Sequence, residues 1–183
     1  MKIIGKQSLV SWIKVPFTIF AGIFCISSVW ICSLAFSHAF AGVPSSNISE
    51  KIYTVNEKTY STLQVHYPFS NVILTMNDSK EGVLLALLNI ITLSFSLVCA
   101  SKIIHGFSTD NVFNSAVIKN FKILSYGLII IGFITLCVDL ILDNNHFDVT
   151  PPSLSIGIGI TLLIIKEIFA QGNDLKEQTD LTI

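Results

Sequence analysis

Four stretches of this 183-residue chain run apolar for roughly the thickness of a bilayer: Phe17 to Phe40, Val83 to Ile104, Ile123 to Leu142 and Ser153 to Ala170. A hydrocarbon slab of about 30 Å asks for about 20 residues of helix, so length alone makes each of the first three a span. The first contains no Asp, Glu, Lys or Arg and is bounded by Lys14-Val-Pro16 and Gly42-Val-Pro44. The fourth is weaker, because its uninterrupted part stops at Ile165 and would equally suit a buried or re-entrant helix. Hydrophobic residues make up 51% of the chain and charged residues 13%, against about 25% charged in an ordinary soluble domain. A soluble fold of this size could not cover its surface. The expected fold class is an all-α membrane protein, a single four-helix domain over residues 1–183, with a small β-rich extracytoplasmic loop and cytoplasmic termini.

Lysine placement decides both the fourth span and the orientation. With four crossings and the N-terminus inside, the inner segments hold Lys2, Lys6, Lys14, Lys102, Lys119, Lys122, Lys166 and Lys176, and the outer ones Lys51, Lys58 and Lys80. The short loop Asp143 to Pro152 carries Asp143 and Asp148 and no lysine, as an outer loop does under the positive-inside rule. If the fourth run did not cross, two lysines would move outside. The start also resembles a secretory signal, since the first run ends in Ala39-Phe-Ala41. A signal core is only about 7 to 15 residues, so an uncleaved signal anchor is expected. Phe24 and Ile31 precede Cys25 and Cys32, which argues against a lipoprotein anchor.

Between the first two spans, residues 43–82 form the one candidate ectodomain. Lys51 to Val55 and Thr59 to Tyr67 are rich in β-branched and aromatic residues and flank Asn56-Glu57-Lys58, the pattern of a hairpin, with Asn71 to Met76 available as a third strand. So short a segment cannot bury a large core, so it should rest on the outer ends of the helices. In the inner loop, Phe113, Val117, Phe121 and Leu124 share one helical face while Ser115, Lys119 and Lys122 share the other. That pattern fits a short helix lying in the membrane interface, capped by Asp110-Asn111, or simply the solvated start of the third span.

Chemistry-bearing constellations are scarce. Asp139 is the carboxylate set inside an apolar run, and an intramembrane acid is a functional candidate because its charge at mid-bilayer costs about 2.5–3.5 kcal/mol. It lies about one turn from the outer end of the third span, however, which favours a structural or interfacial role. Asn89, on the second span, is expected to hydrogen-bond a neighbour. None of His38, His66, His105 and His146 shows a metal-ligand spacing. Cys25, Cys32, Cys99 and Cys137 all fall in spans, where a thiol behaves as a small hydrophobe. Ser153, Gly157 and Thr161 form one small-residue stripe, with Ser155 and Gly159 on the adjacent one, suited to close helix packing within one bundle or between copies. No phosphate-binding glycine loop, nucleophile elbow or catalytic carboxylate pair is present. The reading is of a non-enzyme without metal or cofactor.

The segment Val112 to Gly127 and the close Glu167 to Ile183, ending Asp180-Leu-Thr-Ile183, resemble the YoaS-like bacterial membrane proteins, the family of domain of unknown function 2975. The resemblance spans the chain and rests mainly on Gly172, Leu175, Glu177 and Asp180 to Ile183. Gln178 and Thr179 stand where it implies a more acidic pair. It further implies an inner-membrane location and a gene neighbourhood that often includes a helix-turn-helix regulator of the Xre type, the family's own activity being unassigned. On that basis the tail, with Asp174, Glu177, Asp180 and the terminal carboxylate against Lys176, is an anionic peptide suited to dock on a basic DNA-binding module. Leu175, Glu177, Asp180, Leu181, Thr182 and Ile183, with Lys119 and Lys122 nearby, are the expected contact residues. The alternatives are a solvated stub or stability signal, or a bundle conferring immunity to a membrane-active peptide or carrying a small solute.

Overall fold

Lipid offers no partner to a backbone N–H or C=O, so an apolar run that crosses it must satisfy its hydrogen bonds internally as helix. The computed structural model of the protein, which describes residues 8–55, 58–67, 73–108, 114–141 and 149–180, has four such helices: α1 (Leu9–Ala41), α2 (Lys80–Phe107), α3 (Ser115–Ile141) and α4 (Thr150–Asp180). Each is long and apolar enough to cross a membrane. Hydroxyl side chains within them turn back onto their own helix: Thr18 donates to the Lys14 carbonyl, Thr92 to Leu88, Ser125 to Phe121 and Thr135 to Ile131. This local bond satisfies a donor that would otherwise be stranded in hydrocarbon.

The helices extend past their apolar runs because their ends are capped in water-compatible sequence. Ser8 Oγ accepts from the Ser11 amide at 3.3 Å and starts α1 well before Pro16, which lies inside the helix. Pro16 can donate nothing to the Trp12 carbonyl four residues back, and the helix continues through that single missing bond. Gly42 ends α1 in the left-handed region at φ 64°, its amide bonded to the His38 carbonyl. Only glycine takes that conformation without cost. Ser79 caps α2 through the Gly82 amide at 2.9 Å, and Asn114 caps α3 through the Ala116 amide at 3.0 Å. The expected Asp110-Asn111 cap lies outside the described residues.

Between α1 and α2, three strands form an antiparallel sheet in the order β1 (Ile48–Val55), β2 (Lys58–His66), β3 (Ile73–Asn77). Ile48 pairs with Val65 and Val55 with Lys58, and on the other side Leu63 pairs with Met76. This is the expected hairpin with the optional third strand present. Alternation along β2 sends Leu63 and Val65, both fully buried, onto Ile31 and Ala35 of α1 and Val83, Leu87 and Ile90 of α2. His38 Nε2, on the last turns of α1, meets Glu50 Oε1 of β1 at 3.5 Å. The Lys80 ammonium sits 6.0 Å from the centre of the Phe40 ring.

A second core lies at the opposite end. There Cys99 and Ile103 of α2 pack with Val117, Phe121, Leu124 and Leu128 of α3, and Leu162, Ile165 and Phe169 of α4 close over them. The rings of Phe107, Phe121 and Phe169 form a triangle with centroids 5.5–6.1 Å apart, the tilted spacing that aromatic quadrupoles favour. The amphipathic stripe of the α2–α3 connection therefore faces this core and belongs to α3 itself, the second of the two expected readings. Ser115, Lys119 and Lys122 are exposed, as their side of the stripe requires, and Phe113 lies outside the described residues.

Candidate functional site

Helix sense gathers the tail and the α3 lysines at one end. α3 and α4 run antiparallel: Gly132 faces Ile156 and Pro152, Gly159 faces Ser125 and Ile129, and Phe121 meets Phe169. From that last contact α3 goes back six positions to its start at Ser115, whereas α4 goes on eleven positions to Asp180. α4 thus outruns α3 by about five residues, or about 7 Å at 1.5 Å per residue. Lys119 and Lys122 stand exposed near the base of this extension.

The tail is helical as far as Asp180, a conformation that hydropathy alone does not announce. Lys166 Nζ contacts Glu167 Oε2 at 2.7 Å, and Asn173 Nδ2 donates to Glu177 Oε1 at 2.9 Å across one turn. Spacing of three and four residues was the signal that could have announced this. Every residue from Asp174 to Thr179 is exposed, and Leu175 presents an apolar side chain that is 64% exposed. Asp180 closes the helix; Leu181, Thr182 and Ile183 lie outside the described residues.

The two intramembrane polar residues fare differently. Asp139 is buried in the last turn of α3. Asn89 is exposed on α2. The reason is register: Val83, Leu87 and Ile90 take the buried face of α2, and Asn89 falls away from it.

Of the two small-residue stripes, one is in use. A Cβ on Gly159 would stand 2.9 Å from the Ser125 carbonyl oxygen, and one on Gly132 3.1 Å from that of Pro152, so backbone meets backbone across the α3–α4 seam. Gly157 has nothing within 4 Å of such a Cβ. Its stripe, with Ser153 and Thr161, is exposed. His66 Nε2 lies 3.5 Å from Ser49 Oγ; His105 is exposed on α2; His146 lies outside the described residues. The four cysteines are free.

Neither a curated protein nor a solved structure matches the chain. A family model does, over residues 7–183, which takes in all four helices, the sheet and the tail. A multi-pass arrangement of four apolar helices with a small sheet and a helical tail is thus the build of a protein that belongs to the DUF2975 family, described as proteins of unknown function.

Proposed function

We propose that this protein is a bacterial inner-membrane anchor that holds its C-terminal helix in the cytoplasm as a docking element for a helix-turn-helix regulator. The observation that carries the reading is the extension of α4 beyond α3, exposed from Asp174 to Thr179. A preformed helix loses less conformational entropy on binding than a disordered tail does. Asp174 and Glu177 give it acidic character, and Leu175 supplies an apolar contact between them. Such a helix complements the basic surface that a DNA-binding module turns toward phosphate. Eight lysines on the tail side against three on the sheet side support cytoplasmic placement of the tail. In this reading the sheet is extracytoplasmic and transmits an envelope signal through α1 and α2. The apolar lining of the hollow between those helices favours tethering over carriage of a polar solute.

The test uses the full-length protein in lipid nanodiscs and a version ending at Gln171, each titrated with a purified helix-turn-helix regulator of the Xre type. Binding by the full chain and none by the shortened one is expected, with the Leu175→Ala and Glu177→Lys variants each weakened. Equal binding, or none, by both chains would sink the proposal.

A further inference from the structure

Two hollows between α1 and α2 share Cys25 and Val98 and so form one groove. The larger, of about 450 Å³, is walled by Ser28, Cys32, Ile90 and Ser94 among others; the smaller, of about 290 Å³, runs past Gly22 and Thr18 to Lys102. The groove exists because small side chains face small side chains: Gly22, Cys25 and Ser28 on α1 stand opposite Ser94 and Ser101 on α2. Ser28 Oγ is buried with no hydrogen-bond partner, whereas Ser27, Ser33 and Ser37 each donate to their own helix.

Charge marks one end. Lys102 lines the mouth, where Thr18 and Ser101 hydroxyls meet at 3.1 Å, and half-buried Lys14 lies one turn beyond Thr18 on the same stripe of α1. Neither lysine has a carboxylate partner among the described residues. From Lys102 to Ile90 is twelve residues, about 18 Å of helix, close to the half-thickness of about 15 Å of one leaflet. A cationic mouth at headgroup level followed by one leaflet's depth of apolar groove matches a phospholipid, with phosphate at the lysines and an acyl chain along Cys25 and Val98.

We infer that the α1–α2 groove is a binding site for an anionic phospholipid of the leaflet on the tail side. The site rests on the membrane-spanning reading of the helices and is independent of the regulator. The test is native mass spectrometry of the protein released from nanodiscs of phosphatidylglycerol and phosphatidylcholine with matched chains. The parent protein retains phosphatidylglycerol in preference, and Lys14→Gln and Lys102→Gln each reduce that preference about fivefold. Gly22→Leu, at a position where an added Cβ meets nothing within 4 Å, fills the groove and lowers retention of the lipid. Gly157→Leu, on the open face of α4, leaves retention unchanged. Equal retention of the two lipids by the parent, or equal losses in Gly22→Leu and Gly157→Leu, overturns the site. Release of the lipid by excess inorganic phosphate assigns the affinity to the headgroup alone and also overturns the groove. A protein that never incorporates into nanodiscs refutes the spanning reading instead.

Discussion

The α1–α2 and α3–α4 pairs both carry small residues along their seams, yet one seam is open and the other closed. In α3–α4 the two seam glycines are met by bulk from the facing helix: Ile156 at Gly132 and Ile129 at Gly159. In α1–α2, below the level of Ile31 and Ala35, small side chains oppose one another and leave a groove. Small residues bring helices together only when the partner supplies a knob for the hole they make. The sheet compensates at its own end, where Leu63, Val65 and Met76 clamp α1 to α2.

The largest expected effect is at the aromatic triangle that ties α4 to α2 and α3. Phe121→Ala should cost about 3–5 kcal/mol, read as a drop in the thermal unfolding midpoint in mild detergent. A Phe121→Ala protein as stable as the parent would show that the α3–α4 seam does not depend on it. Gly159→Leu should cost about 1–3 kcal/mol by forcing the seam apart, while Gly157→Leu stays within about 0.5 kcal/mol of the parent. If the two glycines respond alike, the register described for α3 and α4 is wrong. Gly22→Leu should be neutral to within about 0.5 kcal/mol, because the groove accepts the added volume; a loss comparable to that of Gly159→Leu would mean that the α1–α2 seam is as tight as the other. Glu50→Gln, at a carboxylate whose side chain is 60% exposed beside His38, should shift stability by less than about 1 kcal/mol. A larger shift would make that pair, and not the buried β2 side chains, the main link between sheet and α1.

Much of this architecture is legible in the sequence because a bilayer imposes a length and a polarity that a chain cannot disguise. The four apolar runs, the hairpin around Asn56-Glu57 and the two faces of the Val117–Lys122 stripe are all readable in this way. Helix ends are harder, since Ser8 and the Asn173–Glu177 pair carry α1 and α4 into polar sequence where hydropathy falls silent. What a face touches is harder still. Val117, Phe121 and Leu124 announce a buried side, but only the fold supplies Phe107 and Phe169 as its partners. For Asn89 and Gly157, position on the helix decides between a used and an unused face, and that depends on neighbours distant in sequence. The groove is invisible for the same reason: Gly22 and Ser94 are unremarkable until α1 and α2 are set side by side.

Antiparallel packing puts the sheet and the tail at opposite ends of the helix bundle, and the docking proposal requires those ends to lie on opposite sides of the membrane. The direct measurement starts from a variant with Cys25, Cys32, Cys99 and Cys137 replaced by alanine. Lys51→Cys or Leu175→Cys is then added, and intact cells are exposed to a membrane-impermeant maleimide. The Lys51→Cys protein should label in intact cells and the Leu175→Cys protein only after permeabilisation. Labelling of both from outside, or of the tail alone, would contradict the topology and remove the basis for a cytoplasmic docking helix.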